Sequence, residues 1–148
     1  MAAIPYTLAF IFDTSLEQVI LITNIKPGWQ QSKSNGVGGK LAPNESPEDA
    51  VLREITEETG LKLNPENLTA VGSMQNATWL VHLFAATTPQ ESLTSFESEE
   101  GQTRWHPVAN LPKTVIDNLP WLIPLCKNKL QEGFIDTISI KYHNQTHE

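Results

Sequence analysis

A chain of 148 residues with 39% hydrophobic and 18% charged side chains has enough apolar content for one compact domain, 1–148, and excludes a disordered polypeptide. Its formal charge of −7, from 10 basic and 17 acidic residues, argues against binding long nucleic acid, which requires many Lys and Arg contacts to phosphate. A small phosphate ligand stays open, because divalent cations reverse a local acidic field.

The N-terminus lacks the basic region of a secretory signal, and no apolar run approaches the roughly 20 residues of a membrane span. A cytoplasmic protein without membrane contact is expected, as a monomer or a homodimer. Tyr6–Phe12, apolar and rich in branched and aromatic residues, reads as a strand, and Gln18–Ile25 as its hairpin partner across residues 13–17. Residues 26–40, with Pro27 and four glycines, read as a loop. A helix follows over 47–59: Ser46 is a suitable N-cap, Pro47 fits N1, Glu48 and Asp49 favour the positive end of the dipole, and Gly60 closes it. Leu68–Met74 and Thr78–Ala86 read as strands, the acidic stretch 89–102 as a loop, and Trp105–Val108 as a short strand. Asn118 reads as the cap of a second helix running through about Leu130, and Phe134–Tyr142 as a last strand. Cys126, the single cysteine, lies in an apolar run and reads as a buried thiol, as His82 and His106 read as structural residues. Strands mixed with two unlike helices predict an α/β (α+β) fold, a mixed sheet with helices on its faces.

On the first helix Glu54, Glu57 and Glu58 are spaced i, i+3, i+4 and share one face. Like charges so placed repel by a few tenths of a kcal/mol per pair, and a divalent cation converts that repulsion into coordination. Hard oxygen ligands suit Mg²⁺, with Mn²⁺ as the alternative. Arg53 is placed to hold a carboxylate, and Glu45 is a candidate partner. Val51, Leu52, Ile55 and Thr59 supply the opposite, core-facing side. The glycines at 36, 38 and 39 let a main-chain carbonyl approach the acidic face. Competing motifs fail. Ser34 and Leu41 occupy the first glycine and the Ser/Thr positions of a P-loop, and no Cys/His cluster has zinc spacing.

The stretch from Gly39 to Leu61 resembles the Nudix box, G-x5-E-x7-R-E-U-x-E-E-x-G-U with U aliphatic. It matches at Gly39, Glu45, Arg53, Glu54, Ile55, Glu57, Glu58, Gly60 and Leu61. The resemblance implies an α/β/α sandwich with a mixed sheet and the box helix on one face. It also implies hydrolysis of a nucleoside diphosphate linked to another moiety. By position, Glu54, Glu57, Glu58 and the carbonyl of Gly38 would hold metal, and Arg53 would orient a glutamate. A further ligand or base would come from the later acidic loop, Glu100 before Glu99 or Glu97.

Beyond the box the chain is similar to MutT-type purine nucleoside triphosphatases, including animal enzymes that destroy oxidised dGTP. The shared residues are Tyr6-Thr-Leu, Asn35 through Lys40, Glu97-Ser-Glu-Glu100, and Asp117-Asn118 ahead of Trp121. That likeness implies base reading by Asn35 and Asp117, with Asn118 standing where the animal enzymes carry a second acid. Lys40 would meet phosphate, and Trp29 either stacks on a base or covers core. The expected reaction is (d)NTP to (d)NMP and pyrophosphate. The alternatives are a dinucleoside polyphosphate or nucleotide-sugar substrate, or a nucleotide-sensing module without turnover.

Overall fold

The computed structural model describes residues 2–132 and 136–143. In chain order these form β1 (Ile4–Phe12), β2 (Gln18–Asn24), β3 (Ser34–Asn35), α1 (Pro47–Thr59), β4 (Leu68–Gln75), β5 (Trp79–Thr87), β6 (Ser95–Glu97), β7 (Gly101–Pro107), α2 (Leu119–Glu132) and β8 (Ile138–Lys141). The strands make one mixed sheet in the order β6-β7-β2-β1-β5-β4-β8, with β3 attached to β2. The pairs β1–β5 and β4–β8 are parallel, and the other strand pairs are antiparallel. Among the described residues no helix is long and apolar enough to cross a membrane.

Helices cover both faces of the sheet, which is why β1 reads as a continuous apolar run rather than an alternating one. On one face Ala9, Ile11, Ile20, Ile22 and Phe84 pack against Val51 and Ile55 of α1. On the other, Phe10, Phe12, Val19, Leu21 and Leu83 meet Leu119, Leu122, Ile123 and Cys126 of α2. Burying each large aliphatic side chain contributes roughly 1.5–3 kcal/mol, so α1 is anchored by its apolar stripe; of its three clustered glutamates only Glu57 is exposed, while Glu58 is buried. Burial also pushes the Cys126 thiol up to about 12. Ser46 caps α1 by accepting from the Asp49 amide at 3.1 Å, and Gly60 ends it at φ 77°, a left-handed conformation that favours glycine.

The hairpin strands β1 and β2 pair only near their turn, at Phe12↔Val19, and then diverge. The chain from 34 to 41 fills the gap. Ser34 and Asn35 pair with Thr23 and Ile22 of β2. Then Val37, Gly39 and Leu41 pair along β1: the Ala9 amide donates to the Val37 carbonyl at 2.7 Å and the Thr7 amide to the Gly39 carbonyl at 2.8 Å. The glycine-rich stretch expected as a loop is therefore partly a wedge inside the sheet.

Other boundaries move for similar reasons. The acidic stretch 89–102 contains β6 and the start of β7, because Ser95–Glu97 pairs with Arg104–Gln102 across a tight turn. The strand expected at 105–108 runs instead over Gly101–Pro107, extended by its ladder with β2. Helix α2 starts at Leu119, directly after Asn118 as expected, and runs to Glu132, two residues beyond the expected end near Leu130. The last strand is short, Ile138–Lys141, and residues 134–135 of the expected span lie outside the described residues. His82 is half-buried and lines a shallow cleft beside Pro47 and Gln75, so it is not a core residue.

The β1–β2 turn depends on Asp13, whose buried carboxylate accepts from the Glu17 and Gln18 amides and the Ser15 hydroxyl at 2.9–3.1 Å. Burial alone would raise its pKa, but the bonds from Gln18, Ser15 and Glu17 outweigh it and hold the carboxyl below its ordinary value. Asp13→Ala should lower urea-measured stability at pH 7 by about 1–3 kcal/mol. The depressed folded value gives stability above the unfolded pKa that is lost as pH falls through the folded one. The deficit of the variant should therefore shrink as the pH is lowered below about 4, and an undiminished deficit at pH 3 would count against the carboxylate's role.

Candidate active site

Arg53 organises the outer face of α1. Its Nε donates to Glu45 Oε2 at 2.8 Å and its Nη2 to Glu45 Oε1 at 3.0 Å, a bidentate pair. The Nη1 atom lies 3.4 Å from Glu57 Oε1 and 3.7 Å from Glu54 Oε2. Nη2 also donates to the Lys40 carbonyl at 3.3 Å, tying the helix to the wedge. Arg53 and the Ala42 amide together hold Glu45 down at about 2, and Arg53 is raised in turn.

Glu58 is buried and points inward, where its Oε1 accepts from the Gly38 amide at 3.1 Å. Its main-chain carbonyl accepts from Thr103 Oγ1 of β7 at 3.0 Å, a support no sequence pattern announces. Glu54 lies under Gly39, where a Cβ would fall on its carboxylate, so a larger residue at 39 would push that carboxylate aside. Glu100, in the β6–β7 turn, pairs with Lys26 at 2.6 Å. Lys26 stands within electrostatic range of Glu99 and Glu54 as well, and as one exposed lysine in a loop it carries no local signal.

The carboxylates crowd each other. Burial first, then Glu57 and Glu100, push Glu54 up to about 7 against the opposing pull of Arg53. Burial first, then Glu54, Glu100 and Glu57, push Glu58 up to about 8 against the Gly38 hydrogen bond. No three His, Cys, Asp or Glu side chains among the described residues are gathered closely enough, as they stand, to enclose a metal ion. Gly38, Glu54, Glu57, Glu58 and Glu100 thus share a neighbourhood without forming a finished cage. The reason is visible in their partners: Glu57 leans on Arg53, Glu58 on the Gly38 amide and Glu100 on Lys26. Hard oxygen donors, mutual repulsion and high pKa values are the features that a divalent cation relieves.

The base-facing candidates come from separate elements. A parallel bridge between Ser34 and Val115 brings Asn35 and Asp117 toward the same end of the sheet. A chain of hydroxyls, Thr23–Ser34–Thr114, at 3.0 and 2.8 Å reinforces that contact. Asn35 accepts from its neighbour's amide, Gly36, at 2.8 Å. Asp117 is exposed. Asn118 supplies α2 with its backbone carbonyl, which accepts from the Leu122 amide at 2.9 Å, while its side chain turns to Tyr142 instead of capping the helix. Trp29 is 64% exposed, so it does not cover core. The side chain of Lys40 is exposed.

A protein-family model described as NUDIX domain matches residues 4–124. The chain is 32% identical over 111 residues to an uncharacterised Nudix hydrolase, YvcI, of Bacillus subtilis, covering 70% of this chain and 64% of that protein's length. It is 32% identical over 113 residues to the oxidized purine nucleoside triphosphate hydrolase of Mus musculus, covering 72% of this chain and 68% of that enzyme. Two solved structures share the fold. The MutT protein of Bacillus halodurans gives a TM-score of 0.69 at 20% identity, over 94% of this chain and 90% of that one. The NUDIX domain of Shewanella oneidensis NrtR, in complex with ADP ribose, gives 0.71 at 17%, over 88% and 90%.

Raised carboxyl values mean that the folded, metal-free chain keeps protons which the unfolded chain releases above about 4.5. The resulting stability is present at low pH and lost as pH rises through 7 to 8. Thermal melts in chelator should fall across that window. Carboxylate-detected NMR should place the Glu54 and Glu58 midpoints near 7 and 8. Glu57→Gln, which removes a neighbouring negative charge, should lower both; midpoints near 4.5 in the unmutated chain would contradict this electrostatic picture.

Proposed function

Because the chain belongs to the Nudix family, we propose that it is a metal-dependent pyrophosphohydrolase that converts a purine (d)NTP to the (d)NMP and pyrophosphate. The observation that carries this reading is the crowding of Glu54, Glu57, Glu58 and Glu100 beside the Gly38–Gly39 wedge. The named relative in mouse supports a purine nucleotide, and an oxidised purine nucleotide is the most specific form of the proposal.

Glu54, Glu57, Glu58 and the carbonyl of Gly38 would hold Mg²⁺, with Glu100 as the further ligand once it leaves Lys26. A divalent cation bound there supplies neutralisation of phosphate oxygens and acidification of water. Glu57, the most exposed of the three helix carboxylates, is the group we assign to take the proton of the attacking water. Arg53 contributes orientation: anchored bidentately on Glu45, it draws the carboxylates of Glu57 and Glu54 toward its Nη1. Lys40 meets the phosphates. Asn35, Asp117 and Asn118 present donors and acceptors to the base edge, and exposed Trp29 offers a stacking face. A sensing module without turnover is disfavoured by the intact set Arg53, Glu54, Glu57 and Glu58, since a module that only binds needs no proton acceptor.

Pyrophosphate release from a panel of purine nucleoside triphosphates in Mg²⁺ tests the proposal. Glu57→Gln should reduce kcat by about 100-fold or more. Its thermal stability should stay near that of the unmutated chain, because the Glu57 side chain is 57% exposed. Wild-type turnover in the variant would remove Glu57 from the mechanism, and no release from any nucleotide by the unmutated chain would overturn the activity itself.

A further inference from the structure

Three side chains from three separate elements meet on the α2 side of the sheet: Asn118 ahead of α2, Met74 on β4, and Tyr142 just beyond β8. Asn118 Nδ2 lies 3.2 Å from Tyr142 Oη and 3.9 Å from Met74 Sδ. Tyr142 Oη lies 3.9 Å from the same sulfur. A thioether accepts and never donates, so both the amide nitrogen and the phenol must donate to it. The phenol oxygen, its proton committed to sulfur, then accepts from Asn118. Each assignment forces the next, and a flipped amide would set its carbonyl oxygen against the sulfur lone pairs.

We infer that Tyr142 is a positioning residue for base selection: with Met74 it fixes the Asn118 amide so that Oδ1, not Nδ2, is presented to a ligand. The phenol is itself held. Its ring meets Trp79 with centroids 5.5 Å apart at a tilt of 59°, and its amide donates to the Gln75 carbonyl at 2.9 Å. This inference rests on the proposed base-reading role of Asn118 beside Asp117. A carboxylate offers acceptors only, so Asp117 and a fixed Asn118 Oδ1 form an acceptor pair. That pair fits a purine edge with two neighbouring N–H donors, as guanine has at N1 and its 2-amino group. Adenine would bring an unprotonated ring nitrogen against an acceptor.

The test uses binding rather than turnover, so it is independent of the catalytic proposal. Calorimetric titration with GMP and with AMP should show tighter binding of GMP by the unmutated chain. Tyr142→Phe should reduce that preference by about fivefold, the effect of one neutral hydrogen bond. Asn118→Asp separates positioning from general support. Its two oxygens are equivalent, so amide orientation no longer matters, and adding Tyr142→Phe in that background should leave the preference unchanged. An equal loss in both backgrounds, or no loss in either, would overturn the positioning role. Equal binding of GMP and AMP by the unmutated chain, or binding of neither, would overturn base selection through Asn118 whatever pyrophosphate release shows.

Discussion

Three carboxylates within one helical turn repel one another, and much of the local structure around α1 serves to hold them together. Arg53 spans Glu45, Glu54 and Glu57; the Gly38 amide takes Glu58; Lys26 takes Glu100. Each of these partners is a donor from the protein itself, and each neutralises only part of the charge. The residual strain appears as carboxyl groups raised to about 7 and about 8. A surface helix with solvated glutamates would show neither the burial of Glu58 nor the close fit of Glu54 under Gly39.

The sheet makes this arrangement possible by opening. Were β1 and β2 paired along their whole length, no backbone could reach the acidic face of α1 from within the sheet. Their divergence after Phe12↔Val19 admits residues 34–41, which bring Gly38 and Gly39 to Glu58 and Glu54 and the Lys40 carbonyl to Arg53. The same wedge begins at Ser34, where it touches the chain ahead of α2. One short segment therefore connects the carboxylate cluster on one side of the sheet with Asp117 and Asn118 on the other. The apolar faces of the two helices fix its walls: Val51 and Ile55 from α1, Leu119 and Leu122 from α2.

Much of this was legible in the amino-acid order. The start and end of α1 follow from Ser46, Pro47 and Gly60, because caps are local and need no tertiary partner. The shared face of Glu54, Glu57 and Glu58 follows from spacing, whereas Glu45, which lies ahead of the helix, was legible only as a candidate partner of Arg53. The wedge was not legible, because its hydrogen bonds depend on two other strands parting; glycines at 36, 38 and 39 look locally like a loop. β6 escaped for a similar reason, since Ser95-Phe-Glu97 is too short and polar to alternate. The Asn118–Tyr142–Met74 contact joins residues 24 and 44 or more positions apart, beyond the reach of any local pattern.

In this reading the acidic face of α1 is a cradle for a hard divalent cation. Titration of the metal-free protein with Mn²⁺, followed by water-proton relaxation, tests it most directly. Binding should be saturable, displaced by Mg²⁺, and weakened by about tenfold or more in Glu54→Gln or Glu58→Gln, since each variant removes a charged oxygen ligand. Absence of saturable binding, or binding indifferent to both substitutions, would contradict it.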